Sequence, residues 1–167
     1  MNSIRRYAYV LALYLNSRGF AFVLFESALS PYDWGVKEVR GRRRHVRCLA
    51  KVTALFDLYE PAVLVLQDTS VHGTPRTCRI VKLNEALSEL ANGRQMLVYA
   101  YSRGKVWEAF KEFGASNKQD IAMVIATRIP AFERYVPSPR KPWKSEDARM
   151  GIFDAAGLGL AFFQRAG

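Results

Sequence analysis

The residues best placed to do chemistry lie toward the end of the chain, in "SEDARMGIFDAAGLGLAFF". Asp154 sits inside a nearly all-apolar run, where an ionised carboxylate must find a partner, a metal or a cleft. A satisfied salt bridge in the core is the plainer reading of the same residue. Asp147 precedes it by seven residues, a spacing that puts both acids on one helical face two turns apart. Glu146 stands beside Asp147, and both also suit the positive end of a helix dipole.

A second group of side chains is basic. "RGRRRHVRCLAK" gathers Arg40, Arg42, Arg43, Arg44, Arg47 and Lys51 with no acid between them. Such a run is either a solvated face or, because the cations repel one another, a surface for phosphate, which is the expectation here. Further cations recur at Arg76, Arg79 and Lys82, at Arg103 and Lys105, and at Arg140, Lys141 and Lys144. Trp143, between two of these, is suited to stack on a splayed base or to pack the proline-rich loop, and packing is expected.

The whole composition agrees with a phosphate-rich partner. The chain has 167 residues, half of them hydrophobic, and a formal charge of +10, enough for one domain with a sizeable core and a field that attracts polyanions. Nucleic acid is the first expectation for that partner and an acidic membrane surface the second. Cys48 and Cys78 form no CxxC pair and His45 and His72 have no regular acidic neighbours, which speaks against a zinc site and a disulfide framework and for reduced thiols in a cytoplasmic protein. Arg5-Arg6 before "YAYVLALYL" imitates a secretory leader, but Asn16-Ser17-Arg18-Gly19 follows in place of a cleavage site, so a buried strand is expected. No run approaches the length of a membrane span.

The elements that must position these groups follow from periodicity. Strands are expected over residues 7–14, 20–26 and 34–39, separated by a glycine turn and by the breaker "SALSPYD". Leu49, Val52, Phe56 and Tyr59 share a helical face over residues 43–59. Pro61 precedes "AVLVL", a strand buried on both faces. Ile80, Leu83, Leu87 and Leu90 mark a helix ending at Asn92-Gly93, and "QMLVYAY" is a fifth strand. Ser102 and Asn117 are suited to cap two further helices, the second stopped by Pro130, and Ser145 is expected to open the last. Three glycines inside that last helix each cost about 1 kcal/mol unless packing requires them.

This order, with an acidic helix last, resembles the RNase H-like nucleases, and more narrowly the RuvC-type Holliday-junction resolvases. The carriers are "LALYLNSRGFAFVLFE" as the first hairpin, "DWGVKEVRG" as the third strand, "AVLVLQD" as the fourth and "KPWKSEDARMGIFDAAGLGLAFF" as the terminal helix. The resemblance implies an α/β fold over residues 1–167: an RNase H-like mixed five-stranded sheet, made of a three-strand antiparallel meander plus two parallel strands, flanked by helices.

In that family a first-strand Asp, a Glu ending the fourth strand and acids of the last helix hold Mg²⁺ or Mn²⁺, since closely spaced divalent ions need several carboxylates to offset their repulsion. Here Tyr14 falls at the first position and Gln67 at the second. Phenol at neutral pH is a poor ligand, and an amide brings no charge. Asp154 matches a helix acid; Asp147 or Glu146 matches the second less closely, the alternative being that Gly157 stands in place of that second acid.

Two readings follow. One is a binding protein for duplex or branched DNA whose nuclease activity is lost or impaired. The other is an active metal-dependent endonuclease whose rearranged site uses Asp154, Asp147 or Glu146, and Asp68, if the strand bulges to turn Asp68 inward. By the same resemblance Arg76, Arg79, Lys141 and Lys144 border the site, with Arg42, Arg43, Arg44 and Arg47 as further phosphate contacts, and a homodimer is implied by the two-fold symmetry of a junction. Kinases and actin-like ATPases share the fold, but "YLNSRG" lacks their acid and glycine-rich turn.

Overall fold

The computed structural model describes residues 8–69 and 75–166, the side chains of 75–77 and 166 excepted. Strands β1 (Val10–Asn16), β2 (Gly19–Ser27) and β3 (Ser30–Glu38) are followed by helix α1 (Arg44–Tyr59) and strand β4 (Val63–Gln67). Then come α2 (Pro75–Gly93), β5 (Leu97–Tyr101), α3 (Arg103–Lys111), α4 (Lys118–Arg128), a 3-10 turn (Pro130–Tyr135) and α5 (Met150–Ala166). The five strands form one sheet in the order β3-β2-β1-β4-β5. β1 pairs antiparallel with β2 and parallel with β4, β2 pairs antiparallel with β3, and β4 pairs parallel with β5. This is the expected meander plus two parallel strands.

Alternation along the strands builds two cores. Leu11, Leu13 and Leu15 of β1, with Leu64 and Leu66 of β4, meet Cys48, Val52 and Phe56 of α1 and Leu87 of α2. Val10 and Ala12, with Val63 and Val65, face the other way onto α5 and onto Phe110, Ile125 and Phe132 from α3, α4 and the 3-10 turn. Both faces of the sheet are therefore covered, which explains why β1 and β4 are apolar without a break.

Helix α5 lies unusually close to the sheet. A Cβ on Gly151 would come 2.9 Å from the Ala21 side chain, and one on Gly159 would run into the Phe25 ring. Gly157 serves the same end against α3, where a Cβ would come 3.2 Å from Val106. A side chain at Gly157, the position where the resemblance has an acid replaced, would point toward Val106 of α3.

Two boundaries also differ. β3 begins at Ser30, so "SALSPYD" holds a tight turn at Ala28-Leu29 and then continues as strand. Pro31 is accommodated because β3 is an edge strand, with register shifts in the β2 pairing on either side of the Phe25–Pro31 pair. The last helix begins at Met150, not at Ser145. Asp147 ends the preceding segment by accepting from the Arg149 backbone N–H at 2.9 Å, and its own carbonyl accepts from the Met150 N–H at 3.0 Å. Asp147 is therefore outside the helix and does not share a face with Asp154. Trp143 is 75% exposed and packs no loop; its ring lies 5.6 Å from the Lys141 ammonium.

Candidate functional site

β1 and β4 run parallel, so their carboxyl ends open at the same edge of the sheet, where crevices form in open α/β folds. Tyr14 and Gln67 follow the Leu13–Leu66 register pair and, by alternation, face the α5 side. α5 crosses behind them and contributes Asp154; α4 begins in front and contributes Lys118, its first residue. Asn117 fixes that start, its side-chain oxygen accepting from the Asp120 N–H at 2.9 Å. Glu146 enters from the segment before α5. Tyr14, Lys118, Glu146 and Asp154 border a cleft of about 430 Å³, and Gln67 lines the smaller pocket beside it with Tyr14, Lys118 and Asp154.

Lys118 is the hub of the cleft. Its Nζ lies 3.0 and 3.3 Å from the two carboxylate oxygens of Glu146 and 3.3 Å from Oδ2 of Asp154. It also lies 5.7 Å from the centre of the Tyr14 ring, a cation–π contact. Arg18 adds a second tether, donating from Nη1 to the Glu146 carbonyl at 3.3 Å.

Enclosure sets the charge states. The Asp154 side chain is 12% exposed, and this burial, with Glu146 nearby, pushes its carboxyl up to about 6 against the pull of Lys118 and Arg103. Burial, then Asp154, raises the Tyr14 phenol above its ordinary value, so it stays protonated at neutral pH. For Lys118 burial acts downward, but Asp154, Tyr14 and Glu146 outweigh it and the ammonium is held above its ordinary range. Asp147 is lowered chiefly by its hydrogen bonds from Arg149, whose Nη2 donates at 2.7 Å.

These residues do not fit a divalent metal centre. Among the described residues no three His, Cys, Asp or Glu side chains group as ligands. Asp154 and Glu146 already share one ammonium, Asp147 is spent on Arg149, and Tyr14 and Gln67 add no charge. A divalent ion about 4 Å from the Lys118 nitrogen would be repelled by about 8 kcal/mol at an effective dielectric constant near 20.

Asp68, the other candidate ligand, is not brought to the cleft. β4 ends at Gln67 without a bulge, so Asp68 turns to the opposite side and lines a depression with Asn84 and Glu85 of α2. The cations also sort differently from expectation. Arg140 lines the cleft, whereas Arg79, Lys141 and Lys144 do not. The Arg76 side chain lies outside the described residues, as does His72. Arg44 reaches the rim, donating to the Ser17 carbonyl at 2.6 Å, and Arg47 donates to the Arg40 carbonyl at 2.6 Å. Arg42 and Arg43 are exposed beside them.

Sequence reasoning missed Lys118, Arg18 and Lys37, and named Arg103 only as one cation among many. For Lys118 a signal existed. A lysine directly after the capping Asn117 sits at the positive end of a helix dipole, an unfavourable place unless carboxylates answer it. Lys37, Arg103 and Arg140 line the cleft with no carboxylate paired to them among the described residues.

No family model matches the chain, and no curated protein sequence matches it. Solved structures do. RuvC of T. thermophilus in complex with a Holliday junction substrate superposes with a TM-score of 0.69 at 15% identity, over 96% of both chains. A second structure of Thermus thermophilus RuvC gives 0.66 at 15% identity, over 95% of this chain and 96% of that one. The yeast mitochondrial Holliday junction resolvase gives 0.68 at 12% identity, over 95% of this chain and 78% of that one. A five-stranded mixed sheet with helices on both faces, matched over nearly its whole length, gives this chain the RuvC-like form of the RNase H-like fold.

Proposed function

We propose that this protein binds duplex or branched DNA through phosphate contacts and does not cleave it. One observation carries the reading: the carboxylates that line the cleft form ion pairs with Lys118, Arg149 and Arg40, whereas Lys37, Arg103 and Arg140 line it without an ion pair among the described residues. Cations without partners attract a phosphate backbone, and phosphate contacts position a duplex without reading its sequence. The exposed arginines at the start of α1 extend the basic surface from the cleft rim, where Arg44 meets Ser17. The likeness to a RuvC bound to a Holliday junction supports a branched substrate. It also supports a homodimer, because a four-way junction presents two equivalent sites. No described helix is long and apolar enough to cross a membrane, and Cys48 and Cys78 are not joined in a disulfide.

The test is incubation of the full chain with labelled four-way junction and duplex DNA in Mg²⁺ or Mn²⁺, beside Asp154→Asn. Expected are salt-sensitive complexes with both DNAs and no cleavage. Cleavage that disappears in Asp154→Asn would establish an active, rearranged nuclease instead.

A further inference from the structure

We propose that Lys118 is a built-in cation that closes the acidic cleft to divalent ions, so that the cleft is a permanently metal-free site. This concerns the protein alone and stands whether or not DNA is its partner. The ammonium bridges Asp154 and Glu146 at 3.0 to 3.3 Å, occupying the point between the two carboxylates that a metal ion would have to take. Its side chain is 26% exposed, so it cannot yield that point to an ion without losing both partners and part of its packing.

Neighbouring residues hold the arrangement in place. Asn117 caps α4 and so fixes where Lys118 begins its reach. The Tyr14 ring flanks the ammonium at 5.7 Å and offers it a π face, which favours a monovalent organic cation over a hydrated metal. Arg18 binds the Glu146 carbonyl and holds the segment before α5 against the β1–β2 turn. Of these groups the Tyr14 ring directly suits an ammonium, and none of the three adds an anionic ligand.

Mn²⁺ titration of the full chain, read by electron paramagnetic resonance as loss of the free-ion signal, tests the proposal on wild type, Asp154→Asn, Lys118→Met and Lys118→Arg. Wild type and Lys118→Arg are expected to leave millimolar Mn²⁺ free. Lys118→Met is expected to bind one ion at least about tenfold more tightly, because it frees both carboxylates and removes the repelling charge. Adding Asp154→Asn to Lys118→Met should abolish the gain. Wild type that binds Mn²⁺ through Asp154 as tightly as Lys118→Met overturns the proposal, and so does a folded Lys118→Met that gains nothing. If Lys118→Met does not fold, wild type against Asp154→Asn decides: Mn²⁺ bound by the first and lost in the second refutes it, and none bound by either upholds it.

Discussion

A carboxyl group walled in by Met150, Phe153 and Leu158 loses hydration, and Asp154 rises to about 6 even with Lys118 beside it. Its pKa is thus higher in the folded than in the unfolded chain, where it is near 3.9. The native state binds this proton more tightly, so stability falls as pH rises from about 4 to about 6 and stays lower above that. The difference in unfolding free energy between wild type and Asp154→Asn should shift by about 2–3 kcal/mol against wild type from pH 4 to pH 7. Urea unfolding at a series of pH values measures it, and a ¹³C titration of the Asp154 carboxyl with a midpoint near 4 would refute it. The residue itself was legible in the sequence, since a lone acid in an apolar run announces a special environment. Its partner was not, because pairing over the 36 positions between Lys118 and Asp154 depends on how two helices cross one sheet edge.

At the scale of elements, short unbroken apolar runs bounded by turn residues marked β1, β2, β4 and β5, and a 3.6-residue spacing marked α1 and α2, because both patterns are local. The start of α5 was not legible. Ser145 and Asp147 are both fit to begin a helix, and Asp147 was settled by Arg149, which takes its carboxylate by side chain and backbone together. The glycines of α5 were legible only as a cost, and the close approach to β2 supplies the reason. Gly159→Ala should therefore destabilise by about 1–3 kcal/mol, since the new methyl group must displace the fully buried Phe25 ring. Gly93→Ala, at the end of α2 with nothing near its Cβ, is the matched control and should be neutral or stabilising by up to about 1 kcal/mol. Equal losses at both positions in thermal or urea unfolding would show that helix propensity, not packing against the sheet, governs α5.

Over the whole molecule the charge of +10 attracts any polyanion, so affinity alone does not locate an interface. Salt dependence does, because each cation that neutralises a phosphate adds about 0.9 to the slope of log affinity against log salt on duplex DNA. Arg103 lines both the cleft and the apolar pocket beneath it, near Tyr14 and Asp154, whereas Arg79 is exposed on α2 and borders neither. α2 packs on the sheet face opposite α5, so DNA seated in the cleft approaches the ends of β1 and β4 rather than the flank of α2. Arg103→Ala should then lower the slope by about 1 for junction and duplex alike, and Arg79→Ala should leave it unchanged. Fluorescence anisotropy from low to moderate salt reads both. Equal slope losses from the two variants would mean that DNA is held by the diffuse field of the protein, while a loss confined to Arg79→Ala would move the interface to the α2 face. A loss confined to Arg103→Ala would place the phosphate beside the Lys118 hub, in a cleft whose own acids are already answered by cations of the chain.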